Sequence, residues 1–416
     1  MGVATKRIWI VNYYTGTPLT VANPRYIELA SYFMDAGYDV LTINADYDGT
    51  YVAGDTGNSW CVRKLYGRHQ FIHVKAMHYQ GNGIRRMLSI FSFAWKLLVH
   101  CRQLPAPDAI IHNLHTPFDY PVMWVARKLK ARYIAEAWDL WPEDFVTFGL
   151  VGEKNPAMSL FYALERRLYR KADAVVFTFE GGADYIKKKG WSTDTGGKVD
   201  LSKVHYINNG VNLKKFDADR DEFRRFDPDL NSEELFKIVY LGSIRLVNNV
   251  KTLIDAAAIL QADPRYRFLI YGDGSDREYL EEYVRENGIG NVVFKEKNVP
   301  LKEVAYIVSQ ATVNVMNYQK DFGIHGVSSG KMFQYMAAGR PICCNIKLSY
   351  SEISRNRLGI DDNLDTPQQY ASAIRTLVEQ PADEYAKMCG RVRECAEKFD
   401  FSVLGAKELA VIENLA

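Results

Sequence analysis

The chain has 416 residues, of which 47% are hydrophobic and 25% are charged, a balance typical of a folded protein and not of a disordered one. That length exceeds one ordinary hydrophobic core and predicts two domains. A formal net charge of only +2 gives no support to a nucleic-acid-binding protein that acts through bulk charge.

The cysteines show neither a CxxC pair nor the spacing of a zinc site. They are Cys61, Cys101, Cys343, Cys344, Cys389 and Cys395. Two of them lie in the apolar run PICCNI, where free thiols behave as small hydrophobic side chains. Free thiols favour a reducing cytoplasm. The segment MGVATKRIWIVNYY has no signal-peptide core, and no uncharged apolar run of about 18 residues occurs. We therefore expect a cytoplasmic protein that is soluble or peripheral to a membrane.

Short apolar runs alternate with amphipathic stretches in the first half, which is the pattern of an α/β domain with a doubly wound parallel sheet. The strand candidates are RIWIVNYY, YDVLTIN, FIHVKA, AIIHNL, RYIAEAW and AVVFTFE. Helical patterns such as RYIELASYFMDAG and NPAMSLFYALERRLYRKA lie between them.

The alternation stops at residues 214–235, which are charged, contain Pro228 and lack a sustained apolar face. We interpret this segment as a linker between an N-terminal domain, residues 1–213, and a C-terminal domain, residues 236–385. The second domain repeats the plan with the strand candidates FKIVYLGS, RFLIYGDG, NVVFKEK, TVNVMNY and PICCNI. We expect the helical residues 386–416 to pack back toward the N-terminal domain.

The segment VNVMNYQKDFGIHGVSSGKMFQYMAAGRPICC is the most informative for chemistry. A strand ends near Tyr318, a glycine-bearing loop follows, and a helix begins at Ser328 or Ser329 and ends at Gly339. Free backbone N–H groups then lie at the carboxyl edge of a parallel sheet, where such folds bind ligands. Lys331 lies in the first turn, where the helix dipole disfavours a cation unless an anion is present. An ordinary strand-helix crossover with a surface lysine remains the alternative.

A second segment, KIVYLGSIRLVNNVKTLIDAA, runs from a strand into Gly242, Ser243 and Arg245. Small residues let a ligand approach the backbone, and the planar arginine fork suits phosphate oxygens. Because loops that follow different strands meet at one edge of a doubly wound sheet, Arg245 and Lys331 are placed to converge on one diphosphate. The Gly-Asp-Gly run at 272–274 predicts only a strand-to-helix turn, since no GxGxxG fingerprint is present there.

These segments resemble the retaining GT-B glycosyltransferases of family four, in particular the branch that builds bacterial cell-surface polysaccharides. The matching stretches are AEAWDLWPEDFVTFG, KADAVVFTFEGGADYIKKKG, YINNGVNLKKFD, YLGSIRLVNNVKTLIDAA, YGDGSDREYLEEYV and GVSSGKMFQYMAAGRPI. The resemblance implies two Rossmann-like doubly wound domains that face a cleft. The nucleotide-diphosphate sugar would bind the C-terminal domain and the acceptor mainly the N-terminal one, with retention of anomeric configuration and no obligatory cofactor or metal.

The resemblance also implies roles for single residues. Arg245 and Lys331 would hold the donor diphosphate, the backbone at Asn298 and Val299 would face the base, and Gln334 would lie by the ribose. The small residues and loop backbone that complete the donor site are Gly16, Gly242, Ser243, Gly326, Val327 and Ser328. The predicted reaction transfers a hexosyl or N-acetylhexosaminyl group to a glycan or polyprenyl-linked acceptor in exopolysaccharide or capsule synthesis.

The sequence departs from the family pattern at three positions. Much of the family carries two glutamates eight residues apart, and here those positions are Gly326 and Gln334. A lysine that often follows the arginine is replaced by Asn248. The missing carboxylate pair motivates one alternative, a non-catalytic sugar-nucleotide-binding partner in a polysaccharide assembly complex. A nucleotide-sugar epimerase of the same fold is a second alternative, since it too needs only a nucleotide sugar.

The N-terminal half offers Asp139 and Glu143, in AWDLWPED, as candidates for acceptor orientation or proton handling. Alternatively, Asp139 caps a short helix that begins at Pro142. His112 and His115 follow a predicted strand, but no third ligand is evident near this HxxH pair, so we expect no metal site.

Residues 81–102 predict an apolar helix from about Ile84 with basic flanks. The apolar arc comprises Met87, Ile90, Phe91, Phe93, Trp95, Leu97 and Leu98, and the basic residues are Arg85, Arg86, Lys96 and Arg102. This composition favours a helix at the surface of an anionic bilayer, which would place the enzyme at the inner face of the membrane. The alternative is a helix buried between the sheet and its neighbours.

Overall fold

A computed structural model describes residues 6–19, 24–47, 52, 56–81, 83–147, 149, 151–152, 154–320 and 324–415. The chain divides into two compact units, each with one sheet covered by helices. Unit 1 comprises Met1–Asn208 together with Phe401–Ala416, and unit 2 comprises Asn209–Asp400.

Unit 1 is built on a sheet with the strand order β3-β4-β2-β1-β5-β6-β7-β8. The strands are β1 (Arg7–Val11), β2 (Asp39–Ala45), β3 (Cys61–Tyr66), β4 (His69–Val74), β5 (Ala109–Asn113), β6 (Arg132–Ala137), β7 (Ala174–Phe177) and β8 (Val204–Tyr206). The pairing is parallel except between β3 and β4. The strand order reverses between β1 and β5, which is where doubly wound sheets bind ligands.

The first helices of the chain cover this sheet. They are α1 (Arg25–Asp35), α2 (Ile84–His100), α3 (Pro121–Leu129), α4 (Glu143–Thr147), α5 (Pro156–Lys171) and α6 (Gly182–Lys188). Short 3-10 turns occur at Cys101–Gln103, Thr193–Thr195 and Leu201–Lys203. Apolar side chains of α2, α3, α5 and α6 form one core on one face, and α1 contributes to a separate core. Parallel strands require such crossovers, which explains why the central strands are apolar on both sides.

Unit 2 has a parallel sheet with the order β11-β10-β9-β12-β13-β14. The strands are β9 (Phe236–Leu241), β10 (Tyr266–Tyr271), β11 (Val292–Phe294), β12 (Val313–Met316), β13 (Ile342–Cys344) and β14 (Gly359–Asp361). Here the order reverses between β9 and β12. Cys343 and Cys344 are buried on β13 as free thiols, as expected from their apolar run.

The helices of unit 2 begin within the segment interpreted above as a linker. They are α7 (Leu213–Glu222), α8 (Pro228–Asn231), α9 (Val250–Leu260), α10 (Arg277–Glu286), α11 (Leu301–Gln310), α12 (Gly330–Ala338), α13 (Glu352–Asn356), α14 (Pro367–Val378) and α15 (Ala382–Glu397), with a 3-10 turn at Leu246–Asn248. Residues 214–235 therefore contain two helices that belong to unit 2, and α7 packs on α11. Phe216 is the buried residue of α7. Because a single apolar side chain gives no helical periodicity, the sequence did not indicate this helix.

The C-terminal helices divide between the units. The helix α15 packs on α12 in unit 2, whereas α16 (Phe401–Asn414) packs on α1 in unit 1. Gly405 of α16 lies so close to the ring of Tyr32 that a Cβ there would be 2.5 Å from Cγ. Among the described residues, none of the helices combines the length and hydropathy needed to cross a bilayer.

A buried ionic group fixes α16 to unit 1. Arg25 Nε donates to Glu136 Oε1 at 2.8 Å, and Arg25 Nη2 lies 3.3 Å from Glu408 Oε2 of α16. All three side chains are fully buried, and Tyr26 also donates to Glu136. Removing Arg25 would leave Glu136 as an uncompensated charge in the core, which is strongly destabilising.

Candidate active site

The loops after β9 and β12 are joined at the point where the strand order of unit 2 reverses. Asn317 Nδ2 donates to the carbonyl of Asn249 at 3.0 Å, and Gln319 N donates to the carbonyl of Val247 at 2.9 Å. Tyr370 donates to Asn317 Oδ1 at 2.5 Å and so fixes that amide from α14. The carboxyl edge of the sheet is therefore held in one arrangement.

Lys331, in the first turn of α12, points its side chain into this edge. Its Nζ is buried and has no hydrogen-bond partner among the described residues. The ammonium group lies 4.9 Å from the ring centre of Tyr240 and 5.7 Å from that of Tyr318. Burial lowers the pKa of Lys331 to about 8. A buried cation without a partner costs free energy, so this arrangement is suited to an anion.

The beginning of α12 has the predicted position but not the predicted cap. Ser329 is the N-cap residue and makes no capping hydrogen bond with its side chain. Ser328 Oγ instead accepts from Asn209 N at 3.0 Å, and Asn209 Nδ2 donates to the carbonyl of Ser328 at 2.9 Å. The helix start, uncapped by either serine, offers backbone N–H groups and a positive dipole end to an anion.

The glycines at 272 and 274 have a structural role, as their turn predicted. A Cβ on Gly272 would lie 1.9 Å from the carbonyl oxygen of Gly242, and one on Gly274 would lie 2.1 Å from that of Ile244. Ile244 N also donates to the carbonyl of Asp273 at 2.9 Å. The two loops pack backbone to backbone and position Gly242 beneath Lys331.

Three further donor-site candidates of unit 2 lie within a few residues of Gly242 or Lys331 in the sequence. Arg245 is exposed and follows Gly242 by three residues, and Ser243 beside it is exposed as well. Gln334 is half-buried, one turn after Lys331 on the same face of α12, and forms no hydrogen bond to the described residues. The side chains of Arg245 and Gln334 are therefore available to a ligand.

Asn298 and Val299 lie after the edge strand β11, two strands away from β9. Asn298 is exposed, whereas Val299 is half-buried against an apolar cluster that includes Tyr271 and Tyr306. Among the described residues, no hydrogen bond or ion pair joins either of them to Lys331 or Gly242.

The loop before α12 explains one departure from the family pattern. Gly326 has a φ of +101°, in the region that favours glycine, and Val327 packs against the apolar cluster that contains Met332. A glutamate at position 326 would strain this backbone. The missing first carboxylate therefore fits the local course of the loop.

In unit 1 the structure separates the two acidic candidates. Glu143 accepts from Tyr162 and forms an ion pair with Lys189 Nζ at 2.6 Å, so its role is structural. Asp144, and not Asp139, accepts from Leu140 N at 3.1 Å. The exposed Asp139 makes no hydrogen bond to the described residues, which removes its predicted capping role and leaves its carboxylate available.

His112 and His115 share a carboxylate partner. His112 Nε2 lies 3.2 Å and His115 Nδ1 3.3 Å from Asp119 Oδ2, and His112 Nδ1 lies 2.7 Å from the Tyr133 hydroxyl. Burial opposes ionisation of Asp119, yet the two imidazoles hold the pKa of its carboxyl group below the usual value. Within the described ranges, no group of three side chains suited to a metal ion occurs.

Aromatic rings and an arginine surround His115 at the carboxyl edge of unit 1. Arg86 Nε donates to the Tyr14 hydroxyl at 2.6 Å, and its guanidinium carbon lies 5.8 Å from the ring centre of Trp141. The ring of His115 lies 5.0 Å from that of Tyr14 and 5.6 Å from that of Trp141. Arg86, expected to flank a membrane helix, therefore belongs to this cluster. In the sequence, the signal that could have revealed this cluster was the presence of aromatic residues at the ends of predicted strands.

Gly16 is half-buried in the loop after β1. The carbonyl of the preceding Thr15 accepts from Asn44 Nδ2 at 2.6 Å, which holds this loop against the end of β2. The position of Gly16 is thus at the carboxyl edge of its own sheet.

Two family models match most of the chain. One, described as "Glycosyl transferase 4-like domain", matches residues 23–209, and the other, "Glycosyl transferases group 1", matches residues 236–380. The first match covers the sheet of unit 1 from β2 to β8, and the second covers the whole sheet of unit 2. The chain is a GT-B glycosyltransferase of the family-four type.

The glycosyltransferase is 26% identical over 228 residues to "Putative teichuronic acid biosynthesis glycosyltransferase TuaH" of Bacillus subtilis strain 168. That match covers 54% of this chain and 53% of the relative. It therefore spans about half the length of the relative.

Solved structures resemble the glycosyltransferase over nearly its whole length. HepE of Anabaena, in complex with UDP-glucose, has a TM-score of 0.65 at 15% identity and covers 98% of this chain and 99% of its own. WaaG, involved in lipopolysaccharide biosynthesis, has a TM-score of 0.68 at 14% identity, with 97% and 99% covered. An E. coli trehalose-6-phosphate structure bound with UDP-2-fluoro glucose has a TM-score of 0.72 at 12% identity, with 98% and 99% covered. At these identities the likeness establishes the fold.

Proposed function

We propose that this glycosyltransferase moves a sugar from a nucleotide-diphosphate sugar to a glycan or lipid-linked glycan, with retention of anomeric configuration. The observation that carries the proposal is the buried, unpartnered Nζ of Lys331 beside the uncapped start of α12. The neighbours solved with UDP-glucose and UDP-2-fluoro glucose support a nucleotide sugar as the donor.

Lys331 and the first N–H groups of α12 bind the donor diphosphate, and Arg245 reaches it from the loop after β9. Gln334 donates to or accepts from the ribose hydroxyls, since an amide has both capacities. The backbone at Asn298 and Val299 faces the base.

Cleavage of the bond between sugar and diphosphate develops negative charge on the departing phosphate. Lys331, Arg245 and the helix N–H groups are fixed before the reaction and stabilise this charge as it grows, which lowers the barrier. The acceptor oxygen attacks on the face from which the phosphate leaves, and the phosphate receives its proton. Asp139, exposed and without a hydrogen bond to the described residues, orients the acceptor hydroxyl.

The cluster of Tyr14, Arg86, His115 and Trp141 forms part of the acceptor site. Aromatic rings suit the apolar faces of a sugar, and Arg86 provides a charged donor for its hydroxyl or acidic groups. Asp119 holds Nδ1 of His115, so its other ring nitrogen remains for the acceptor. The relative named for teichuronic acid biosynthesis supports an acceptor in surface-polysaccharide synthesis, such as an exopolysaccharide or capsule precursor.

We further propose that the enzyme works on an anionic membrane surface at the cytoplasmic side. The α2 stripe consists of exposed apolar residues along one face of the helix: Ile84, Leu88, Phe91, Trp95 and Val99. Arg85 and Arg102 flank it and are exposed. Ile90, Phe93 and Leu97, which we expected on the apolar arc, are buried in the core instead. A stripe of Trp, Phe and Leu beside arginines suits the interface of an anionic bilayer.

The function is tested by incubating the purified enzyme with a panel of nucleotide sugars and a polyprenyl-diphosphate-linked glycan. We expect one donor to raise the melting temperature and to give a lengthened glycan of retained anomeric configuration, measured by mass spectrometry and NMR. Lys331→Ala should abolish the product, and the exposed Lys387→Ala, which lies on α15, should not. Donor binding without transfer would favour the non-catalytic alternative. Recovery of the nucleotide sugar with one stereocentre of its sugar inverted would favour an epimerase.

A further inference from the structure

Unit 1 contains a basic cleft that is separate from the residues discussed so far. It has a volume of about 480 Å³ and is lined by Ala163, Arg166, Arg167, Arg170, Gly190, Gly196, Gly197 and Lys198. Four of these residues are cationic and none is acidic. Such a lining attracts anions and has no internal countercharge.

The four cations of the basic cleft are not paired. Among the described residues, none of them forms an ion pair or donates a side-chain hydrogen bond. Some other basic residues of unit 1 are paired, such as Arg132 with Asp173 and Lys189 with Glu143. Arg166 and Arg170 lie four residues apart on α5, where like charges repel and destabilise the helix. Folding alone therefore does not favour this arrangement, whereas a bound anion does.

Tyr120 does not line the cleft but is influenced electrostatically by two of its arginines, Arg167 and Arg170. Tyr120 is only 7% exposed, and its hydroxyl has no hydrogen-bond partner among the described residues. Burial raises the pKa of Tyr120, and the nearby charges of Arg167, Arg127 and Arg170 oppose that rise.

The wall that carries Lys198 is held rigidly by its own backbone. Lys198 N donates to the carbonyl of Trp191 at 2.8 Å, and a Cβ on Gly197 would lie 2.1 Å from that same oxygen. Gly196 has a φ of +84°, which favours glycine. The loop thus presents its lysine to α5 in a preformed geometry, which lowers the ordering cost of binding.

The cleft lies at the amino edge of the unit 1 sheet. Arg170 is near the end of α5, four residues before β7 begins, and Lys198 precedes β8. Asp139 follows β6 at the opposite, carboxyl edge. The adjacent helix α3 presents the exposed Trp124, whose ring lies 5.5 Å from that of Tyr120, and α3 packs on α2. The cleft is therefore on the same face of the sheet as the α2 stripe.

We propose that the basic cleft binds a phosphate group, carried either by a lipid headgroup or by a soluble phosphate compound. Several guanidinium groups and one ammonium group around a cleft match the oxygens of a phosphate monoester or diphosphate. This site is independent of the donor diphosphate at Lys331, so either proposal can fail without the other. Its location beside α3 and α2 suits a phosphate that projects from a membrane.

The test uses inorganic pyrophosphate and full-length protein with Lys331→Ala, which weakens the donor site. Calorimetric titration should show an affinity for pyrophosphate that is at least tenfold lower when the protein also carries Arg166→Ala and Arg170→Ala. The matched control adds Arg265→Ala and Arg285→Ala, two exposed arginines of unit 2 with acidic partners, and should leave the affinity unchanged. Equal affinity in the cleft variant and the control would overturn the proposal.

Vesicles distinguish the two sources of phosphate. Wild-type protein is sedimented with vesicles of phosphatidylcholine alone or with one fifth phosphatidic acid, with and without pyrophosphate. Loss of acid-dependent binding in the Arg166→Ala/Arg170→Ala variant, and competition by pyrophosphate, identify a lipid headgroup. If the cleft binds pyrophosphate in calorimetry but the Arg166→Ala/Arg170→Ala variant sediments with acidic vesicles as wild type does, the phosphate belongs to a soluble compound. Because the substitutions remove like-charge repulsion, the variant should melt no lower than wild type, and its melting curve verifies that it is folded.

Discussion

Gly242 lies directly beneath the ammonium group of Lys331, such that a Cβ on Gly242 would be only 2.9 Å from Nζ. The loop after β9 therefore leaves room for the lysine only while position 242 has no side chain. Gly242 also has a φ of +157°, at the margin of the region that favours glycine.

We predict that Gly242→Ala displaces the Lys331 ammonium group and lowers kcat/KM by about tenfold, or about 1.4 kcal/mol in the barrier. Gly288→Ala is the matched control, because Gly288 has a φ of +60° and open space around its Cβ position. That control places a side chain at another glycine of positive φ, with no lysine beside it. Equal activity loss in the two variants would show that the effect is strain alone.

Removing the buried charge should separate stability from function. The pKa of Lys331 falls from 10.5 to about 8, which corresponds to a cost of about 3 kcal/mol at neutral pH, at about 1.36 kcal/mol per unit. Lys331→Met should therefore raise the melting temperature of the free enzyme. It should also add about 2–4 kcal/mol to the transfer barrier. A lower melting temperature with intact turnover would make Lys331 a structural residue.

Arg245→Ala should reduce turnover with little change in stability, because the side chain is exposed in the free enzyme. Loss of a charge-assisted contact to the leaving phosphate is expected to cost about 2–4 kcal/mol in kcat. Single-turnover kinetics and melting curves measure the two effects. Arg265→Ala, another exposed arginine of unit 2, provides the control, and near-wild-type kcat/KM for Arg245→Ala would exclude it from the site.

Donor binding should depend on pH in a manner set by Lys331. An anion binds the protonated form, and the free enzyme loses that proton as the pH rises through about 8. Affinity for a nucleoside diphosphate should be constant below that pH and fall about tenfold per unit above it, because each unit costs about 1.36 kcal/mol. Calorimetry in buffers of different ionisation enthalpy should detect proton uptake above pH 8. Constant affinity up to pH 10 would contradict a buried, unpaired lysine in the site.

Gln334→Ala should weaken nucleoside diphosphate binding by about 1–2 kcal/mol if the amide bonds the ribose hydroxyls. Gln334→Glu should retain binding, because a carboxylate accepts from both hydroxyls of a diol. Titration calorimetry with a ribonucleotide and the corresponding 2′-deoxyribonucleotide measures this contact. An Ala variant with unchanged affinity for the ribonucleotide would refute the assignment.

The α2 stripe should confer binding to anionic vesicles. Phe91→Ser with Trp95→Ser should lower the bound fraction through lost apolar burial, and Arg85→Glu with Arg102→Glu through repulsion from the lipid. The second effect should diminish with added salt. Leu160→Ser removes a comparably exposed apolar residue from α5 and is the control. Equal binding to neutral and anionic vesicles would contradict the proposal.

The sequence predicted those parts of the fold in which buried positions give a clear pattern of apolar residues. The apolar runs that became β1, β5 and β12 were found because parallel strands are buried on both faces. The antiparallel β3 was missed, since Arg63, Lys64 and Leu65 are all exposed there. The helix α7 was missed because Phe216 is its one buried residue. A strand or helix whose residues are mostly exposed has no regular apolar pattern and is therefore hard to predict from sequence.

The candidate site was predicted unevenly for a related reason. Lys331 and Gly242 were expected at one sheet edge because loop position follows from strand order, and the structure brings them into contact. Arg86 was placed on the wrong surface, since a helix apolar on most sides does not reveal which arc faces the core. The pairing of Glu143 with Lys189 joins residues 46 apart, a separation that no local motif reports.

The return of α16 to unit 1 has a consequence for the order of folding during translation. Unit 2 is one continuous segment, residues 209–400, whereas unit 1 includes α16, which is synthesised only after all of unit 2. Until then Arg25 and Glu136 lack Glu408 as a neighbour, and the ring of Tyr32 lacks its contact with Gly405. The half of the enzyme that is made first is thus completed last. A chain truncated shortly after residue 400 would have a complete unit 2 and an unstable unit 1, and proteases would cleave unit 1, far in sequence from the truncation.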